Sequence, residues 1–167
     1  MIVFTIGFNR CGTQSLHKMF TDNGYQSVHW DWGKAEETMK ENHKLGKPLL
    51  DGYENVTLFS DIDFLTRHFV LFAEQYPESK FIYNYRDIEG WIKSRKNLYQ
   101  QNGWSIDEGY WRSEWKYHKT MLKEYFVGDK TKRLLEFDIE KDQGESIAKF
   151  LPELVITNKH YPKVDWL

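Results

Sequence analysis

A glycine-flanked loop near the amino terminus carries the residues best suited to chemistry. It reads Gly7-Phe8-Asn9-Arg10-Cys11-Gly12-Thr13-Gln14-Ser15, between a short apolar stretch and a helical pattern. Gly7 and Gly12 permit close backbone approaches that a Cβ would block. Free N–H groups and the positive end of the helix dipole converge at such a helix start. Arg10 adds a planar fork of donors, so the loop predicts a phosphate- or sulfate-binding site.

The loop departs from a Walker A nucleotide-binding loop at one decisive place. The spacing from Gly7 to Gly12 matches that motif, which continues with lysine and then serine or threonine. Thr13 and Gln14 stand there instead, which disfavours ordinary ATP or GTP chemistry. A P-loop kinase or NTPase stays an alternative, because VTLFSD or LLEFD would serve as a Walker B strand. A tight turn with a surface arginine is another.

A second motif follows the strand-like segment KFIYNY. Arg86-Asp87 comes next, and Ser94 lies eight residues beyond Arg86 on a helical pattern. This pair resembles the sulfotransferase superfamily, in which an arginine after a strand and a serine on the next helix hold the 3′-phosphate of 3′-phosphoadenosine 5′-phosphosulfate (PAPS). The loop around Arg10 is similar to that family's 5′-phosphosulfate loop, whose core reads Lys-x-Gly-Thr-Thr or Arg-x-Gly-Thr. Residues 76–82 and 134–138 also resemble the family, so the likeness spans roughly residues 2–151.

The resemblance implies an enzyme that moves the sulfuryl group of PAPS to a hydroxyl or amine of a small-molecule or glycan acceptor. Arg10 would stabilise the charge on the leaving phosphate, and no metal is required. A module of the same fold that binds the nucleotide without catalysis is an alternative. The implied donor-binding residues are Asn9, Arg10, Cys11, Gly12, Thr13, Gln14, Ser15, Arg86 and Ser94.

The chain departs from the family in three respects. Gln14 replaces a common second hydroxyl residue. Ser15 stands where cytosolic animal members carry a tryptophan beside the adenine, so that stacking surface has to come from elsewhere. The chain is also shorter than those members, whose extra segments form acceptor lids.

The sequence identifies the general base less clearly than it identifies the donor-binding residues. Relatives use His, Glu or Asp near the end of the strand that precedes the 3′-phosphate strand. Asp61 is the first candidate, Asp63 the second, and His29, after another strand-like segment, the third. Asp61 or Asp63 would equally serve as a cap for the helix that begins near Phe64.

Two further features have double interpretations. The helix start could lower the pKa of Cys11, but no paired base is evident, so we interpret it as a small loop residue. Tryptophans at 30, 32, 104, 111 and 115 would either line an acceptor pocket or cover the core.

Hydrophobic patterning predicts strands that alternate with helices, hence an α/β fold with a central parallel sheet covered on both faces. With the resemblance, this becomes a three-layer sandwich of the P-loop NTPase-like sulfotransferase type. Period-2 or apolar runs predict strands over 2–6, 26–29, 56–60, 80–85 and 134–137. Helical periodicity follows most of the strands, with long patterns over 64–76 and 107–126, whereas the polar residues 33–48 fit either an exposed helix or a loop.

Bulk properties narrow the function classes. The 167 residues fit a single domain over 1–167, and a net charge of −2 gives no field that would attract nucleic acid or an anionic membrane. The single cysteine and the lack of a leader or membrane-length apolar run predict a cytoplasmic protein. No His/Cys cluster has metal-ligand spacing. The oligomeric state is left open.

Overall fold

A five-stranded sheet forms the centre of the computed structural model, which describes residues 1–164. The strands are β1 (Val3–Thr5), β2 (Ser27–His29), β3 (Leu58–Ser60), β4 (Lys80–Tyr85) and β5 (Leu134–Asp138). They lie in the order β2-β3-β1-β4-β5, and every neighbouring pair is parallel. The predicted central parallel sheet is confirmed.

Helices connect successive strands. They are α1 (Thr13–Asp22), α2 (Lys34–Lys44), α3 (Asp63–Arg67), α4 (Phe69–Gln75), α5 (Ile88–Asn102), α6 (Glu108–Tyr125) and α7 (Gly144–Phe150), with 3₁₀ turns at Asp31–Gly33 and Gly128–Arg133. The single helix predicted over 64–76 is wrong, because His68 leaves the helical region at φ −116° and separates α3 from α4. None of the helices within residues 1–164 has the length and apolar character needed to cross a bilayer.

Alternation along the strands builds one core on each face of the sheet. In β1, Val3 packs in the cluster that contains α1 and α7, while Phe4 packs in the cluster that contains α3, α4 and α6. Leu58 and Phe59 divide in the same way. The sheet is therefore the middle layer of a three-layer sandwich, as predicted.

The carboxyl ends of the strands share one edge, and strain concentrates there. The chain leaves β1 for β2, returns to β3, and then crosses to β4 on the other side of β1, which creates a crevice beside β1. Such crevices bind ligands in open α/β sheets. Positive φ at non-glycine residues within 1–164 occurs only after β1, β2 and β3: at Arg10, Trp30, Asp31, Trp32 and Asp61. Strained backbone conformations cluster at functional sites, so this edge of the sheet is the candidate functional site.

Candidate active site

Asn84 holds both ends of the glycine-flanked loop. Its Oδ1 accepts from the Gly7 N–H at 3.0 Å, and its Nδ2 donates to the Cys11 carbonyl at 2.7 Å. A Cβ on Gly7 would lie 1.8 Å from the Asn84 carbonyl oxygen, so only glycine fits. Sequence analysis missed this role, although an asparagine inside an otherwise apolar strand was a usable signal.

Aromatic side chains of α5 and α6 support the loop from below. The Phe8 ring lies 5.3 Å from that of Trp91 and 6.0 Å from that of Trp115. Trp91 Nε1 also donates to the Asn9 carbonyl at 2.9 Å. Trp111 and Trp115 are buried in this cluster, whereas Trp30, Trp32 and Trp104 are exposed. Of the five tryptophans considered from the sequence, Trp111 and Trp115 therefore cover the core.

Arg10 and Ser94 are in direct contact. Arg10 Nε donates to Ser94 Oγ at 2.9 Å, which joins the loop after β1 to the helix after β4. Burial, followed by the charge of Arg86, lowers the pKa of Arg10, and Asp61 partly opposes this. The two arginines predicted from separate motifs thus lie close enough to repel each other. A bound anion would relieve that repulsion.

Arg86 keeps part of its donor capacity unused. Its Nη2 donates to Glu140 Oε1, beyond the end of β5. Its Nε is buried and has no hydrogen-bond partner within the described chain. A buried unsatisfied guanidinium nitrogen is costly, which indicates that this side chain is arranged for an anionic ligand.

The start of α1 adds further unpaired polar groups. Gly12, at φ 72°, precedes the helix without a capping side chain. In an α-helix the first N–H groups have no partner inside the helix, so those of Thr13 and Gln14 are available to an anion. Asn9 Oδ1 and Gln14 Oε1, which are acceptors and would not bind an anion, are buried without a partner among residues 1–164. The free N–H groups at the helix start are those that the predicted cradle requires, and anion binding there stays a prediction.

Cys11 and Ser15 serve the scaffold instead of the open side of the cradle. Burial raises the pKa of the Cys11 thiol to about 12 and outweighs the helix start, which agrees with the interpretation of Cys11 as a small loop residue. The Cys11 N–H donates to the Phe8 carbonyl. Ser15 Oγ accepts from the Val164 N–H at 3.3 Å, and the Tyr161 hydroxyl donates to the Gly12 carbonyl at 3.3 Å. Sequence analysis gave no sign of this C-terminal packing.

Asp61 and His29 face each other across the ends of β3 and β2. His29 Nε2 lies 3.6 Å from Asp61 Oδ2 and 3.2 Å from Thr13 Oγ1. Burial, followed by the charge of Asp63, raises the pKa of Asp61 to about 6, against the opposing charges of Arg10 and Arg95. Burial, followed by the His17 charge, lowers the pKa of His29 to about 4. At pH 7 the carboxyl group is mostly ionised and the imidazole is neutral.

The Asp63 side chain pairs with Arg67 on its own helix and not with His29. Asp63 is the first residue of α3, and its carboxylate accepts from Arg67 Nε four residues on. The residue that precedes α3 is Ile62, which has no capping group, so the helix-cap interpretation of Asp61 is not what the structure shows. Asp61 and His29, but not Asp63, lie with the loop.

A buried ion pair between Arg95 and Glu114 lies near Asp61. Arg95 Nη1 lies 3.6 Å from Glu114 Oε2, and Arg67 also pairs with Glu114. The guanidinium of Arg95 sits over the rings of Trp91, Tyr99 and Trp111 at 5.0–5.4 Å. Sequence analysis missed this cluster because its members come from three different helices. No group of three or more His, Cys, Asp or Glu side chains within residues 1–164 is placed to hold a metal ion.

The parallel sandwich carries an arginine-bearing loop after β1 and an arginine–serine pair after β4. The family model described as a sulfotransferase domain matches residues 2–126. The match covers more than half of the chain and extends from β1 to the end of α6, so the chain belongs to this sulfotransferase domain family. A search of curated proteins gave no match.

Proposed function

We propose that the protein is a PAPS-dependent sulfotransferase that acts on a hydroxyl or amine of a small-molecule or glycan acceptor. The observation that carries the proposal is the 2.9 Å contact between Arg10 Nε and Ser94 Oγ, with Arg86 beside them. This contact brings both predicted phosphate-binding motifs to one crevice. The sulfotransferase domain match supports the same reaction class.

The donor binds by its two anionic ends. Arg10 and the free N–H groups at the start of α1 take the 5′-phosphosulfate, since a helix start and a guanidinium both favour anions. Arg86 and Ser94 take the 3′-phosphate. The Nε of Arg86, buried without a partner among the described residues, is the donor that this phosphate would satisfy. Ser94 links the two proposed binding positions, because its hydroxyl also contacts Arg10.

The transfer step needs charge stabilisation and a base. The acceptor oxygen or nitrogen forms a bond to sulfur while the bond from sulfur to the bridging phosphate oxygen breaks, and adenosine 3′,5′-bisphosphate (PAP) leaves. Arg10 neutralises the charge that grows on the phosphate. The acceptor proton passes to Asp61, whose pKa of about 6 suits a base near neutral pH. Neutral His29, in contact with Thr13 and Asp61, orients this carboxylate.

A reducing compartment suits the chain. Cys11, the single cysteine, is buried. No disulfide contributes to the fold, so we propose a cytoplasmic location.

The proposal is tested by incubating the protein with radiolabelled PAPS and a panel of phenols, sugars and amines. We expect label in at least one acceptor and loss of transfer in Arg10→Met. Arg112→Met is the matched control, because Arg112 lies on α6 and pairs with Glu89. Absence of both PAP binding and transfer overturns the proposal, whereas binding without transfer to any acceptor favours the non-catalytic module.

A further inference from the structure

Two tryptophans stand exposed directly after β2. The side chain of Trp32 is 86% exposed and that of Trp30 is 49% exposed. Their ring centroids are 5.0 Å apart at an interplanar angle of 43°. Large indole rings in water forgo the burial that normally stabilises a fold. The pair therefore forms an aromatic surface that the core does not explain.

The backbone that presents these rings is strained. Trp30, Asp31 and Trp32 have φ angles of 52°, 49° and 55°, a region that residues with a Cβ rarely adopt. None of the residues in the Asp31–Gly33 turn is buried, so packing does not compensate for the strain. Strain without a packing gain indicates a functional requirement for this conformation.

The turn is fixed beside the candidate base. The Trp30 N–H donates to the Ser60 carbonyl at 3.1 Å, one residue before Asp61. His29, one residue before Trp30, places its Nε2 3.6 Å from Asp61 Oδ2. A ring seated on the two indoles would therefore lie at the same edge of the sheet as the carboxylate.

We propose that Trp30 and Trp32 bind the acceptor through the apolar face of an uncharged ring. This inference rests on the proposed function and names the class of acceptor that the site takes. Indole faces stack on aromatic rings and cover the apolar C–H face of a sugar ring, so the shared chemistry is an apolar ring face on a molecule that carries a hydroxyl. The carboxylates of Asp31 and Asp61 disfavour an anionic acceptor at this position. The acceptor hydroxyl gives its proton to Asp61 as its oxygen bonds to the sulfur of PAPS.

The inference is tested by binding, without turnover. Protein with and without saturating PAP is titrated with 2-naphthol and, separately, with methyl β-D-glucopyranoside, and binding is followed by ligand-detected NMR. We expect the protein to bind at least one probe and affinity to fall about tenfold in Trp30→Ala and in Trp32→Ala. Trp30→Phe keeps a ring and should retain most of the affinity.

Trp104→Ala is the matched control, since Trp104 is 53% exposed and packs against Tyr99 on α5. It should bind both probes as the unchanged protein does. Binding of naphthol alone assigns an aromatic acceptor, and binding of the glucoside alone assigns a carbohydrate.

Two results overturn the inference: neither probe binds, or both alanine variants bind as tightly as the unchanged protein. PAP affinity should be the same in all four variants. If the unchanged protein does not bind PAP, the proposed donor is wrong. That failure is distinguishable from failure of the inference, which concerns only the binding of the two probes.

Discussion

Arg10 Nε donates to Ser94 Oγ across 2.9 Å, and this contact joins residues that are 84 positions apart in the chain. The parallel register of β1 and β4 brings them together, because Thr5 lies opposite Ile82 and both strands end at the same edge. The loop that follows β1 and the helix that follows β4 then face each other. We propose that a donor with two anionic groups binds between them.

Removing the Ser94 hydroxyl should weaken donor binding without unfolding the protein. Ser94→Ala takes away one hydrogen bond to a charged group, so we expect PAP affinity to fall by about 1.5–3 kcal/mol. Isothermal titration calorimetry measures the change. Ser113→Ala is the control, because that hydroxyl only donates to the Gly109 carbonyl on α6. Equal PAP affinity in Ser94→Ala and the unchanged protein would refute this role.

Asp61→Asn should stabilise the fold at neutral pH. The pKa of Asp61 is about 6 in the folded protein, above the ordinary aspartate value of 3.8, so the folded state holds this proton more tightly. Folding stability is therefore lost as pH rises from about 4 to 6. Asparagine removes that loss and also tolerates the φ of 57°. We expect a gain of about 1–3 kcal/mol at pH 7 and none at pH 4, measured by urea unfolding.

The control for this experiment is Asp129→Asn, since the side chain of Asp129 is 93% exposed. It should show no comparable dependence on pH. A gain in Asp61→Asn that is the same at pH 4 and pH 7 would contradict the burial of a charged carboxylate.

The rate of transfer should follow the ionisation of Asp61. If this carboxylate is the base, kcat/KM rises with pH through about 6 and then levels. Asp61→Asn should lose about 10²–10⁴-fold of the rate. Initial rates measured between pH 5 and pH 8 test this prediction, because that interval brackets the pKa of Asp61. A rate that falls through that interval, or an asparagine variant of full activity, would rule out Asp61 as the base.

Asn84→Ala should destabilise the loop and the fold together. It leaves the Gly7 N–H and the Cys11 carbonyl buried without their partner. Each unsatisfied group carries a penalty of about 1–3 kcal/mol, so we expect a total loss of about 2–6 kcal/mol in urea unfolding. Asn102→Ala, at an exposed end of α5, should change stability by no more than about 0.5 kcal/mol. Equal losses in the two variants would refute the special role of Asn84.

Glu140 should compete with the donor for Arg86. The Glu140 carboxylate is 43% exposed and accepts from Arg86 Nη2. Glu140→Gln removes a negative charge from the proposed 3′-phosphate site, so PAP should bind about two- to fivefold more tightly, as expected for a partly exposed pair. The gain should shrink at high salt. Weaker PAP binding in this variant would show that Glu140 supports the site.

The sequence indicated the candidate site residues more clearly than the residues that hold them in place. Arg10, Arg86 and Ser94 lie in local strand–loop–helix patterns, and those patterns are visible along the chain. Asn84 and Glu114 act across the fold, on partners that only the strand order and helix packing bring near. The order of β2 beside β3 likewise decides that His29 lies beside Asp61. Local patterns carry no information about such neighbours.

We propose above all that Arg10 and Arg86 bind two anionic groups of one nucleotide. The most direct test is calorimetric titration with PAP and with AMP, which lacks the 3′-phosphate, in the absence of magnesium. PAP should bind more tightly than AMP by about 2 kcal/mol or more, as expected for a charged hydrogen-bonded group. Equal affinity for PAP and AMP, or binding only of magnesium–ATP, would contradict the account.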